Sequence, residues 1–179
     1  MEITIVQRSI VFTFLGNDKP GLVEQLATTV NSAGGNWIES NLSHMAGKFA
    51  GIVRVSIGTD KANELEKLLL AHNSTELSVI VDNCAAVVKP SVHYGKLSVI
   101  GNDRSGIVQE VTKALASHDI NIEELQSRVS SAPMTGSRLF EAEICFEVSA
   151  QTQADAVTAE LEDIADSLDI DLSLEWLEQ

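Results

Sequence analysis

Two short polar stretches of this chain share one pattern: Gly16-Asn17-Asp18-Lys19-Pro20-Gly21 and Gly101-Asn102-Asp103-Arg104-Ser105-Gly106. Each follows a β-branched apolar run and precedes apolar residues at helical spacing, so each is expected to turn a strand end into a helix start. Three features meet there. Glycine relaxes the backbone and lets a ligand approach the main chain. A helix N-terminus presents unpaired N–H groups and partial positive charge, which suits a carboxylate. Asn17, Asp18, Asn102 and Asp103 add short polar arms able to take an ammonium group. Together these suit a small zwitterion, an amino acid. The same residue types also serve plainer ends: Asp18 and Asp103 as N-caps, Pro20 in a first helical turn, the glycines in tight turns. Asn36 and Asn121 correspond too, where the second strand of each half begins. They read either as turn residues or as amides facing the same cleft.

The two stretches belong to a longer repeat. From Gly16/Gly101 to Ser43/Arg128, eight of 28 aligned pairs are identical, where chance would give roughly two. A cap does not require Asn and a basic residue around Asp, so their repetition favours a site used in duplicate. Gly-x-x-x-x-Gly without a following Lys-Ser/Thr is not a phosphate loop. Ser9, Ser105 and Ser117 have no neighbouring histidine to activate them, and the Glu141/Glu143/Glu147 row fits a solvated sheet face better than an acid–base pair. His44, His72, His93 and His118 stand singly, and no Cys–His cluster has zinc spacing. Catalysis, a metal and a cofactor are therefore not expected. Cys84 and Cys145 lie far apart in apolar stretches and read as buried reduced thiols.

Composition narrows the partners. The chain has 179 residues, 44% hydrophobic, with 26 acidic against 12 basic residues and a net charge of −14. Over most of such a surface a phosphate backbone is repelled, and none of the basic residues form a run. Proteins and small molecules are the expected partners, not nucleic acid. The apolar stretch Ile10–Leu15 is too short for a signal peptide or a membrane span, so a cytoplasmic protein without a membrane partner is expected. The sequons at Asn41 and Asn73 are then idle.

Both halves read as strand, helix, strand, strand, helix, strand. In the first, Ile10–Leu15 is a strand, and Leu22, Val23, Leu26 and Val30 line a helix ending near Gly34-Gly35. Trp37–Met45 and Phe49–Ile57 flank a turn at Ala46-Gly47-Lys48. Asp60 is expected to cap a helix running through His72, and Glu76–Val81 alternates as a last strand. In the second, Phe140, Ala142, Ile144, Phe146 and Val148 alternate with Glu141, Glu143, Cys145 and Glu147, giving a half-buried strand with an acidic outer face. Ala154, Val157, Leu161, Ile164 and Leu168 line a helix. The order βαββαβ, twice, predicts an α+β chain of two ferredoxin-like domains, each an antiparallel four-stranded sheet with helices on one face. The expected domains are 1–86 and 96–179, joined by a linker at 87–95 that contains Pro90 and Gly95. Domains this small bury a limited fraction of their surface, and sheet edges are free to pair. Packing within the chain or a homodimer is expected.

A duplicated βαββαβ unit with Asn-Asp-basic-x-Gly-aliphatic-Val at its first strand–helix corner resembles the ACT domain family over nearly the whole chain. The resemblance implies amino-acid binding at interfaces between paired domains and a regulatory role. A tandem pair of this length, with no enzyme or DNA-binding domain attached, is similar to repressors of glycine cleavage genes within that family. Such repressors imply a protein partner, a DNA-bound transcriptional activator, with glycine modulating the contact. Carried over residue by residue, Asn17, Asp18, Gly21 and Asn36 form one implied ligand site, and Asn102, Asp103, Gly106 and Asn121 the other. Ser105 stands where the first copy has Pro20, and Ile120 where it has Gly35, so the two sites need not be equivalent. A ligand-independent interaction module, or a regulatory subunit of an amino-acid metabolic enzyme, are the alternative readings.

Overall fold

The computed structural model describes residues 7–82, 92–132, 136–149, 152 and 154–177. The chain divides into two compact units, Met1–Val88 and Lys89–Gln179. The first holds β1 (Gln7–Asn17), α1 (Leu22–Ser32), β2 (Asn36–Met45), β3 (Lys48–Gly58), α2 (Ala62–Leu70) and β4 (Leu77–Asp82). The second repeats the order with β5 (Val92–Asn102), α3 (Ile107–Ser117), β6 (Asn121–Ser131), β7 (Arg138–Ser149), α4 (Ala154–Leu168) and β8 (Ile170–Leu177). The sheets run β2-β3-β1-β4 and β6-β7-β5-β8, antiparallel throughout. This is the ferredoxin-like arrangement expected from the sequence.

Strand alternation sets each layer. In β1, Ile10, Phe12 and Phe14 are buried while Thr13 and Leu15 face away from the helices. Leu22, Leu26 and Val30 of α1 and Ala62, Leu65 and Leu69 of α2 close the first core, the three- and four-residue spacing of a single helix face. The second core has the same plan: Leu97, Val99, Ile144 and Phe146 from strands meet Ile107, Val111, Leu115, Val157 and Leu161 from helices. A perpendicular ring pair packs in each unit, Phe12 with Trp37 at 5.9 Å and Phe146 with Trp176 at 5.6 Å.

The duplication reaches irregular features. Strands β2 and β6 each carry a register shift at the same place, Trp37/Glu39 and Ile122/Glu124. A Cβ on Gly16 would stand 2.9 Å from Leu77 Cδ1, and one on Gly101 would stand 2.3 Å from Ile170 Cγ2. These two glycines are therefore packing positions, where the first strand passes the start of the last.

Several local expectations need correction. Helix α2 runs Ala62–Leu70, with Lys61 as its N-cap and no capping side chain, so Asp60 does not cap it and His72 lies beyond it. The local backbone closes that end instead, Lys61 N–H donating to Gly58 O at 2.9 Å. Strand β5 begins at Val92, inside the stretch expected to be linker, because pairing with β7 extends from Val92/Ser149 onward. The rest of that stretch, and Cys84, lie outside the described residues. Cys145 is only half-buried, since the alternation of β7 turns it to the helix-free face.

Candidate functional site

Each repeated corner is built where the end of the first strand meets the hairpin between the second and third. In the first unit, Asn17 pairs with Lys48 at the last rung of β1 and β3. The backbone there is held. Asn17 N–H donates to Glu76 O at 3.1 Å and Asp18 N–H to Gly47 O at 3.0 Å. The hairpin turn is Ala46-Gly47, both at positive φ, 50° and 75°, as a two-residue hairpin requires. It delivers Lys48, whose Nζ donates to Asn17 Oδ1 at 2.6 Å, and His44, whose Nε2 lies 3.6 Å from Asp18 Oδ2.

The helix start is open. Gly21 and Gly106 are the N-caps of α1 and α3, in left-handed conformation at φ 87° and 101°. That conformation favours glycine at both positions. Neither cap has a side-chain hydrogen bond to the helix, so Asp18 and Asp103 are not N-caps and Pro20 precedes the first turn. The first intrahelical bonds are Gln25 N–H to Gly21 O and Glu110 N–H to Gly106 O, each 2.9 Å. The N–H groups of Leu22, Val23 and Glu24, and of Ile107, Val108 and Gln109, precede those bonds and have no intrahelical acceptor. Beyond the glycine and its two chain neighbours, nothing lies within 4 Å of where a Cβ on Gly21 or Gly106 would stand. The first-turn amides carry the positive end of the helix dipole.

The two corners differ in how their carboxylates are held. Asp103 donates its N–H to Arg138 O at 2.9 Å, and Arg138 Nη2 lies 3.1 Å from Asp103 Oδ2. The Asp103 side chain is 25% exposed and that of Asp18 is 49% exposed. Asp18 is thus the more available acceptor for an incoming ammonium.

Asn36 and Asn121 do not join these corners. Asn36 pairs with Ser56 of β3, whereas Asn17 pairs with Lys48 at that strand's other end. Eight residues at about 3.3 Å each put the two asparagines roughly 26 Å apart. Asn121, opposite Glu147, is as far from Asn102, opposite Leu139. Its Nδ2 donates to Glu123 Oε1 at 3.1 Å and Glu147 Oε1 at 3.5 Å. Sequence register aligned these residues between copies but said nothing of which sheet end they occupy. It also missed Lys48, His44 and Arg138. The Ala46-Gly47 turn signal, combined with matched strand lengths, would have placed Lys48 beside Asn17.

Two shallow depressions lie on the helix-free sheet faces, about 490 Å³ in the first unit and about 460 Å³ in the second. Neither is lined by a corner residue. The second is charged: Glu141 accepts from Ser130 Oγ at 3.0 Å and from Arg128. The Ser130 hydrogen bond first, then Arg128, hold its carboxyl below the usual range. Lys96 sits 3.2 Å from Glu143, whose hydrogen bond raises its ammonium above the ordinary value. The Glu141 contribution to stability is present above the unfolded carboxyl range and fades as pH falls through the lowered folded value. Carboxyl-carbon NMR titration should place Glu141 below exposed glutamates, with Ser130→Ala returning it further toward the ordinary value than Arg128→Ala.

Among the described residues no group of three His, Cys, Asp or Glu side chains is placed to hold a metal ion, and no helix is long and apolar enough to cross a membrane. The decisive comparison is with family models. Residues 8–82 match one ACT domain model and residues 96–166 another. The chain belongs to the ACT domain family. It is 27% identical over 158 residues to the glycine cleavage system transcriptional repressor of Escherichia coli strain K12, covering 87% of this chain and 81% of that protein. The protein of the same name from Shigella flexneri matches equally. Among solved structures, an uncharacterised protein from Galdieria sulphuraria superposes with a TM-score of 0.82 at 26% identity, covering 97% of this chain and all of that one. A crystal structure provisionally named as a glycine cleavage system transcriptional repressor superposes at 0.71 with 18% identity, covering 97% and 99%, which shows a common fold.

Proposed function

We propose that this tandem ACT protein is an amino-acid-responsive regulator, a repressor or corepressor of glycine cleavage genes that works through a DNA-bound activator. The observation that carries the reading is the likeness to the Escherichia coli repressor across both domains. The open, uncapped helix start beside Asp18 and Lys48 supports a small amino acid as the signal. Charge supports a protein as the target. Residues 1–88 hold 6 basic and 9 acidic residues, and residues 89–179 hold 6 and 17, so the second unit in particular repels a phosphate backbone.

Glycine has five heavy atoms. At a ceiling of about 1.5 kcal/mol per atom it gains at most about 7.5 kcal/mol, which is micromolar affinity at best. Such affinity suits sensing a metabolite pool. Ligand changes the partner contact only if free and bound conformations hold it differently.

The test pairs binding with output. Calorimetry with glycine, alanine and serine should give heat for at least one. The purified chain should retain the activator on a glycine cleavage promoter fragment, with retention altered by that amino acid, and should not shift the promoter fragment by itself. No heat at millimolar ligand, or a direct shift of naked DNA, contradicts the proposal.

A further inference from the structure

The helix-free faces of the two sheets occupy equivalent places in the duplicated fold yet differ in chemistry. In the first unit, the central cross-strand rows are Ser43–Ala50–Leu15–Ser78 and Asn41–Ile52–Thr13–Ile80. Neither row contains a charge. Leu15, Ile52 and Ile80 are 53%, 50% and 65% exposed. In the second unit the same rows read Arg128–Glu141–Ile100–Asp171 and Gln126–Glu143–Ser98–Ser173. The second unit builds the same sheet with charges there, so the fold does not require the apolar residues of the first. Adjacent apolar side chains left in water on a sheet that does not need them mark a contact surface.

Charge selects the occupant. A second copy approaching through most other surfaces meets a chain of net charge −14, with acidic residues concentrated after residue 89. The uncharged rows of one copy meet the uncharged rows of another without that repulsion. The flanking rows hold the charges: Glu39 and Arg54 neutralise each other at 2.7 Å with Asp82 at the outer strand of the same row, and Lys48 on the opposite side is held by Asn17. The charged face of a second unit is a poor occupant, since Glu141 and Glu143 would be stripped of water against Leu15 and Ile52.

We propose that the helix-free face of the first sheet, centred on Leu15, Ile52 and Ile80, is the two-fold interface of a homodimer, each copy covering the same face of its partner. This stands apart from amino-acid binding at the corners. Four strands about 4.8 Å apart and four residues of about 3.3 Å, the span of the two rows, give an uncharged centre of roughly 250 Å² per copy. That is about a third of a standard interface, so the dimer is concentration-dependent rather than permanent.

Sedimentation velocity of the full chain from low micromolar to near-millimolar concentration tests this. The wild type should shift from monomer to dimer across that range. Ile52→Glu installs the second unit's own residue at the equivalent position and should stay monomeric throughout, with an unchanged far-ultraviolet circular dichroism spectrum. Glu143→Gln, on the other unit's face, should dimerise as the wild type does. If Ile52→Glu loses its fold, Ile80→Ser, again the second unit's own residue, carries the same comparison. A wild type monomeric at every concentration, or folded face variants that dimerise normally, overturns the proposal.

Discussion

Replacing Asp18 by Asn is expected to weaken small amino-acid binding about 10- to 100-fold, while the same change at Asp103 leaves it within a few-fold. The magnitude follows from losing one charge-assisted hydrogen bond to an ammonium group, worth about 1.5–3 kcal/mol. The asymmetry follows from the corners themselves. Both backbones are held alike, Asp103 N–H by Arg138 O and Asp18 N–H by Gly47 O, but the Asp103 carboxylate is paired with the Arg138 guanidinium at 3.1 Å and only 25% exposed. Asp18 is half exposed and faces only His44, at 3.6 Å. Calorimetry on the two variants and on the wild type measures the difference. Equal losses at both positions would mean that Arg138 yields Asp103 to the ligand. No loss at either would remove the corner carboxylates from the site.

The second large effect concerns the cores. Phe12 is fully buried at the centre of the first unit, against Trp37. Truncating such a ring to Ala costs about 3–5 kcal/mol through lost transfer energy and the cavity left behind. A small domain holds only about 5–15 kcal/mol in total and those near this size fall low in that range. Phe12→Ala is therefore expected to unfold the first unit at moderate temperature. The second unit has its own core cluster, which shares no residue with the first. Calorimetric melting of Phe12→Ala should show one transition displaced downward and one near its wild-type position. Phe146→Ala should displace the other. A single transition moving as a whole in both variants would show that the units melt as one.

Local periodicity made most of the architecture legible. The alternation of Ile10, Phe12 and Phe14, and of Ala142, Ile144, Phe146 and Val148, names the inner faces without any structure. Helix faces such as Leu22, Leu26 and Val30 are equally local. The repeat then supplied the domain plan, because each copy checks the other. Helix ends were read less well. Asp18 and Asp60 look like caps in sequence, yet Gly21 and Lys61 hold those positions, since the backbone closed the turn without a side chain. What sequence could not show was non-local. Which residues share an end of the sheet depends on strand pairing, so Asn36 was grouped with a corner roughly 26 Å away. Lys48, His44 and Arg138 were overlooked for the same reason, because they reach the corner across the sheet rather than along the chain.

We propose that a small amino acid is sensed at the start of α1, beside Asp18. Amide NMR of the full chain during a glycine titration addresses it directly. Saturable shifts are expected at Asn17–Glu24 and Lys48, weaker ones at Asn102–Gln109, and none at Asn36 or Asn121. Spectra unchanged at millimolar glycine, alanine and serine, or shifts gathered at Asn36 and Asn121 with the corners silent, would contradict it.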